Sequence, residues 1–237
     1  MTVEEVKAPA PYPTAARWLG YSLTAIGGIA PFMVKIARPG PITDGLAVLA
    51  VVAPILLLAC IVSAPEAFEH TYPRLNSRMV SFALIIPVAA LFIVTLNTPL
   101  VRPQVALLTA AGGAALCLLA GIWMPVRPAL VSPYVLLVFL IFYGGLFGWS
   151  GPLLVNVKLD RSAGQVFQAP VEMRSVSFGR HGNANYYVRL GPWGPVTTDQ
   201  TVVVSLDTYF ALKDGDSACV TLHPGALAMP WYSVARC

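Results

Sequence analysis

Tyr134-Val135-Leu136-Leu137-Val138-Phe139-Leu140-Ile141-Phe142-Tyr143-Gly144-Gly145-Leu146-Phe147-Gly148-Trp149 is the last long apolar run in the chain, and it divides the sequence into two physical regimes. No Asp, Glu, Lys, Arg or His lies between Arg127 and Lys158. A bilayer core is crossed by about 20 apolar residues in a helix, so this segment predicts a membrane span. Everything before it has the texture of membrane. Everything from about Asn156 onward has the texture of a small β domain.

Composition agrees with that division. The chain of 237 residues is 57% hydrophobic and only 11% charged, against about 25% charged in a soluble domain. Its mean hydropathy is +0.70. So few charges over this length indicate an integral membrane protein. The formal net charge of +4 comes from Lys and Arg scattered singly through loops. No basic stripe with interleaved aromatics is present, which argues against nucleic acid as a partner and makes the lipid bilayer the expected one.

Working backward from Tyr134, four further apolar segments predict helices, giving five spans at about 18–35, 44–63, 79–97, 104–124 and 133–152. The first is the weakest, with Gly27-Gly28 and Pro31 inside it, but it carries no charge from Trp18 to Val34 and so lacks the polar face of an interfacial helix. Pro54 and Pro87 predict kinks in the second and third. Ala110-Ala111-Gly112-Gly113-Ala114-Ala115 gives the fourth a face of small residues, and Gly144, Gly145 and Gly148 do the same for the fifth. Such faces let helix backbones approach closely in lipid. Residues 1–16 open on Glu4, Glu5 and an Ala/Pro alternation. They predict a flexible tail and not a secretory signal. The membrane domain then covers 17–155.

With the N-terminus cytoplasmic, Lys7, Arg17, Arg74, Arg78 and Arg127 fall inside and Lys35, Arg38, Arg102, Lys158 and Arg161 outside. The tally is even, so charge bias does not orient the protein.

Residues 156–237 show period-two alternation. Tyr186, Val188 and Leu190 share one face, as do Val202, Val204 and Leu206, and Val220 and Leu222. Glycine-rich turn signals separate these runs. With Val166–Phe178 and Trp231–Ala235 they predict about five strands in a small antiparallel barrel or sandwich. The fold class is therefore membrane all-α plus a small C-terminal all-β domain.

Of four cysteines, Cys60 and Cys117 lie within spans and Cys219 and Cys237 in the β region. A hairpin through residues 224–230 would bring Cys219 and Cys237 to disulfide distance; two unrelated thiols are the alternative. A bridge would place the β domain outside the cytosol, periplasmic or extracellular, in agreement with a cytoplasmic N-terminus and five spans.

Gly215-Asp216-Ser217-Ala218-Cys219-Val220-Thr221-Leu222-His223-Pro224-Gly225-Ala226-Leu227, followed by Pro230-Trp231-Tyr232 and Cys237, with Asn156-Val157-Lys158-Leu159-Asp160 upstream, resembles the ending of uncharacterised bacterial inner-membrane proteins. These carry several spans and a C-terminal β domain. The resemblance covers about the last third of the chain, implies the inner membrane as its location, and brings no assigned activity with it.

Constellations that could carry chemistry are sparse. Glu66, Glu69 and His70 fall at helical spacing, but no further His or Cys stands nearby to complete a metal shell, and a solvated interfacial turn accounts for them. His181 and His223 sit in turn sequences. Ser177, Ser217 and Asp216 could join them in a triad, yet no serine has nucleophile-elbow surroundings. No catalytic residue, cofactor or metal is expected. Every Asp, Glu, Lys and Arg lies at or outside a span end, unlike ion-coupled transporters.

The expected function is a non-enzymatic membrane-anchored interaction or structural module of the cell envelope, binding another envelope protein or itself. Trp193, Trp231, Tyr232, Tyr186 and Tyr187 are the expected contact residues, because aromatics dominate interface energetics; the alternative is that they fill the small core. A transporter or channel subunit is the second reading, motivated by the prolines. An accessory subunit of a membrane enzyme complex is the third.

Overall fold

The computed structural model describes residues 14–36, 40–63, 78–123, 133–178 and 184–237. Five long helices come first: α1 (Thr14–Ile36), α2 (Pro41–Ser63), α3 (Arg78–Thr95), α4 (Pro103–Trp123) and α5 (Pro133–Lys158). Five strands follow, β1 (Gln165–Phe178), β2 (Ala184–Leu190), β3 (Gln200–Val204), β4 (Ser217–His223) and β5 (Trp231–Arg236), with one short helix, α6 (Leu206–Ala211), between β3 and β4.

Among the described residues, four helical segments are long and apolar enough to cross a membrane: Trp18–Ile36, Pro41–Ala59, Pro103–Gly121 and Leu137–Lys158. The helix α3 is apolar too, and among its described side chains the apolar stretch runs Ile85–Thr95. The expected end of the fifth span at 152 and the domain boundary at 156 both fall inside α5, which continues to Lys158. Pro152 does not stop it. A proline inside a helix removes one hydrogen bond to the preceding turn, and here the helix continues through that gap with Leu153 and Leu154 buried on the far side.

Helix packing follows from small side chains. On α2, Ala47, Ala50, Ala53 and Leu57 are all buried, a face narrow enough to let α1 and α3 close in. The Pro87 ring of α3 lies over Gly27 of α1, where a Cβ would stand 2.7 Å from it. Pro54 and Pro87 are both buried. The Tyr143 hydroxyl of α5 donates to the Pro54 carbonyl at 3.2 Å, which ties α5 to α2. The closest approach is between α4 and α5. A Cβ on Gly144 would come 2.8 Å from Cys117 Cβ and 2.9 Å from Ala114 Cα, and one on Gly148 would come 3.1 Å from Ala110 Cα. Backbone meets backbone there, as the two small-residue faces predict. Apart from Ala106, no side chain described on α4 is buried, and Leu107, Leu108, Leu116 and Leu119 face outward.

The strands form one antiparallel sheet in the order β3-β2-β1-β4-β5, curled into a half-barrel. The curl comes from β1. Its first half, Gln165–Pro170, pairs with β4, and its second half, from Val171, pairs with β2. The register shifts between Val171 and Met173, and a strand with an extra residue bends and twists more strongly. Pro170 sits at that bend, where a missing N–H is tolerated; its carbonyl accepts from Gly191 N at 2.9 Å. Helix α6 packs on β2 and β5 across the open side of the curl. Leu206, expected to extend the β3 alternation, instead begins α6. Ser205 ends the strand: its Oγ accepts from Thr208 N at 3.2 Å as a helix cap. The core within the curl is Ala169, Val171, Val188, Leu190, Trp193, Val196, Val202, Leu212, Ala218, Val220 and Tyr232. The inward faces expected from alternation on β2, β3 and β4 supply four of these: Val188, Leu190, Val202 and Val220.

Cys219 and Cys237 lie at disulfide distance, with Cα atoms 4.9 Å apart. They join β4 to the residue following β5 across a loop 18 residues long.

Gly148→Val forces a side chain into α4 and is expected to cost about 1–3 kcal/mol, seen as a lower thermal midpoint in detergent. Gly145→Ala, with nothing within 4 Å of the added Cβ, is expected to leave the midpoint unmoved. Equal loss in both variants would contradict the packing described.

Candidate functional site at the junction of bundle and sheet

The sheet is bonded to the helical bundle through residues from two separate connections. The first begins on α5. Asn156 lies within the last turn of that helix and is fully buried. Its Oδ1 accepts from Leu227 N at 2.9 Å and Met229 N at 3.3 Å, and its Nδ2 donates to the Met229 carbonyl at 2.8 Å. Its own backbone carbonyl accepts from Ala226 N at 3.1 Å. The loop between β4 and β5 is therefore wound around one carboxamide. Gly225 makes the winding possible. Its φ is +80°, and a Cβ there would stand 2.6 Å from Asn156 Nδ2, so both backbone and space require glycine.

Asp160 follows just beyond the helix. One carboxylate oxygen accepts from the Ser162 amide at 2.9 Å and its hydroxyl at 2.6 Å. The other accepts from Gly225 N at 2.9 Å and from the Trp231 indole N–H at 3.0 Å. Partial desolvation pushes the Asp160 carboxyl upward. The four donors, from Ser162, Trp231 and Gly225, together outweigh it and hold the carboxyl below the usual carboxylate range. The Trp231 ring stacks on His223 with centroids 4.3 Å apart.

The second connection is the turn between α3 and α4. Leu100 forms a β-bridge with Trp231. Val101 N donates to the Pro230 carbonyl at 3.0 Å, and Tyr232 N donates to the Pro99 carbonyl at 3.1 Å. A membrane-side turn thus lies along the start of β5, the edge strand of the sheet, and Val101 packs against the sheet core. Beside this junction, Arg161 pairs with Asp44 at the start of α2.

The five expected contact aromatics divide by this geometry. Trp193 and Tyr232 are 3% exposed and belong to the core, with ring centroids 4.9 Å apart, so neither is available to a partner. A domain this small has few large side chains with which to fill its centre, and these two serve there. Trp231 is half-buried and turned toward Asp160. Tyr187 is half-buried on the sheet face opposite the core, opposite Ser175 and Val203. Tyr186 is half-buried at the end of the inward face, with the half-buried Tyr209 at 5.1 Å and the exposed Phe210 at 6.4 Å between ring centroids. Phe210 is 68% exposed and Leu206 lies beside it in α6. Phe178 is 75% exposed and shares the face of Tyr186, because Val176 stands opposite Tyr186 and Phe178 opposite Ala184. Phe178 lies at the outer end of β1, and the junction lies at its start.

The residues considered for catalysis do not converge. Ser217 and His223 are at opposite ends of β4, and Ser177 pairs with Asn185 on the far part of β1. Asp216 Oδ2 accepts from Lys213 N at 2.9 Å within a turn. His181, Glu66, Glu69 and His70 lie outside the described residues. Among the described residues no group of three or more His, Cys, Asp or Glu could hold a metal ion.

No protein-family model matches the chain, and neither a curated protein nor a solved structure matches it.

Asn156→Ala strands two buried amides and a carbonyl. At about 1–3 kcal/mol for an unsatisfied buried group, loss of about 2–4 kcal/mol is expected, with faster hydrogen exchange at Leu227 and Met229. Unchanged exchange would mean that Asp160 alone holds the loop. Since Asp160 has a depressed folded pKa, its contribution is complete above its unfolded value of about 3.9. It is lost as pH falls through the lower folded value. Hydrogen exchange at Gly225 is expected to rise over that acidic window, and Asp160→Asn is expected to abolish the pH step.

Proposed function

We propose that this chain is a non-enzymatic, polytopic protein of the inner membrane that orients a small β domain outside the cytosol for contact with another envelope protein or a second copy of itself. Its five long helices would span with the N-terminus cytoplasmic. The four long apolar helices support a membrane location, and the Cys219–Cys237 pair at disulfide distance supports an oxidising side for the sheet.

The observation that carries the reading is the double attachment of the sheet. Asn156 and Asp160 from the end of α5 and Leu100 from the α3–α4 turn hold the same loop and edge strand. A tethered domain needs only one covalent link; this one is fixed in orientation. Fixing it would hold the exposed Phe210 and Phe178 in a set orientation relative to the helices. Exposed apolar clusters of this kind mark contact sites more often than scattered single residues do. The prolines that motivate a transporter give that reading little support, because Pro54 and Pro87 are buried against neighbouring helices.

Reporter fusions after Val157 and after Cys237 test the compartment; cytosolic activity of both would overturn it. For contact, Phe210→Asp is expected to lower recovery of a stoichiometric partner, or of a self-associated species, in mild detergent by about tenfold. Its thermal midpoint should stay at the wild-type value, since Phe210 is exposed. Undiminished recovery would remove the patch from the interface.

A further inference from the structure

At the end of the bundle that faces the sheet, α1, α3 and α5 enclose a cavity of about 150 Å³. Val94, Leu153, Leu154 and Val157 form its apolar wall. Lys35, Lys158, Thr95 and Thr98 form the polar part. The Thr95 hydroxyl is already engaged, donating to the Leu91 carbonyl at 3.0 Å. Neither ammonium makes an ion pair among the described residues, and no carboxylate lines the cavity. The nearby acids are occupied: Asp44 holds Arg161, and Asp160 accepts on both oxygens. Both lysines line this one cavity without a partner carboxylate there.

We propose that this cavity binds the phosphate of an anionic phospholipid headgroup, with Lys35 and Lys158 on the phosphate, the Thr98 hydroxyl as a further donor, and the apolar wall against the first carbons of the lipid. The position fits this ligand. Lys158 is the last residue of one apolar span and Lys35 the next to last of another, so the cavity lies where the helices leave the hydrocarbon and phosphates reside. A free phosphate ion would satisfy the lysines but leave Val94, Leu153, Leu154 and Val157 unused, which favours the lipid. Lysines in the last turn of a helix also offset its negative end, and Lys35 and Lys158 both occupy that place. That role accounts for each lysine singly. It does not account for their meeting at one cavity with a spare hydroxyl. The inference rests on the helices being membrane-embedded and is independent of the contact role given to the sheet.

Native mass spectrometry of the full chain, titrated with dioleoyl phosphatidylglycerol or dioleoyl phosphatidylcholine, tests it. The wild type is expected to retain the glycerol lipid about tenfold more strongly. The K35Q/K158Q double variant is expected to bring the ratio near unity, Thr98→Val to lower it partway, and K35R/K158R to restore it. Competition by millimolar inorganic phosphate would reassign the site to a free anion and overturn the lipid. A double variant with a lower thermal midpoint but an unchanged lipid ratio would leave the lysines as helix-end partners only and overturn the site. Should the double variant fail to fold, Thr98→Val and the single lysine variants decide by the same ratio.

Discussion

One buried carboxamide organises the meeting of two unlike solvents. Asn156 belongs to a long apolar helix, yet its carboxamide makes three hydrogen bonds to the loop of a β-sheet. A polar group so placed is expensive unless satisfied, and satisfying it requires the sheet to be present and in register. The helix end and the sheet loop are thus one unit energetically. Gly225, with its positive φ, and Asp160, which accepts from both Gly225 and Trp231, exist in the arrangement to let that carboxamide be reached.

The rest of the architecture is built outward from that point. The bend of β1 at Pro170 carries the sheet from a β4 side near the junction to a β2 side away from it. The exposed Phe178 ends the second side, and the hydrogen-bonded Trp231 lies on the first. In the helical part, closeness is set by what is missing from side chains. Gly27 admits Pro87, and Gly144 and Gly148 admit α4. Without a hydrophobic drive between helices in lipid, such shape fit has to supply the association.

Much of this was legible in the sequence where a single period or a single composition governs. Apolar runs marked the long helices, and alternation identified Val188, Val202 and Val220 as inward residues, because both signals are local. The small-residue faces at Gly113 and Gly144 were legible for the same reason. The junction was not. An asparagine near the end of an apolar run has the appearance of a span leaving the membrane, and nothing near it in sequence names its partners, which are 71 and 73 residues away. Leu100 gives no strand signal, since its bridge is made with a distant edge. Trp193 and Tyr232 look like surface anchors from composition alone; only the curl of the sheet turns them inward. Leu206 continued an alternation that the Ser205 cap had already ended.

The bridge between Leu100 and Trp231 has a mechanical meaning. Asn156 fixes the sheet to α5, and Leu100 fixes it to the turn joining α3 and α4. Two anchors on different helices make the sheet a gauge of the spacing between them. Were those helices to slide or tilt relative to one another, two attachment points would leave no free swivel to absorb the displacement. It would be taken up as shear along the first residues of β5, where the backbone bonds from Pro99 and Val101 are the most exposed to it.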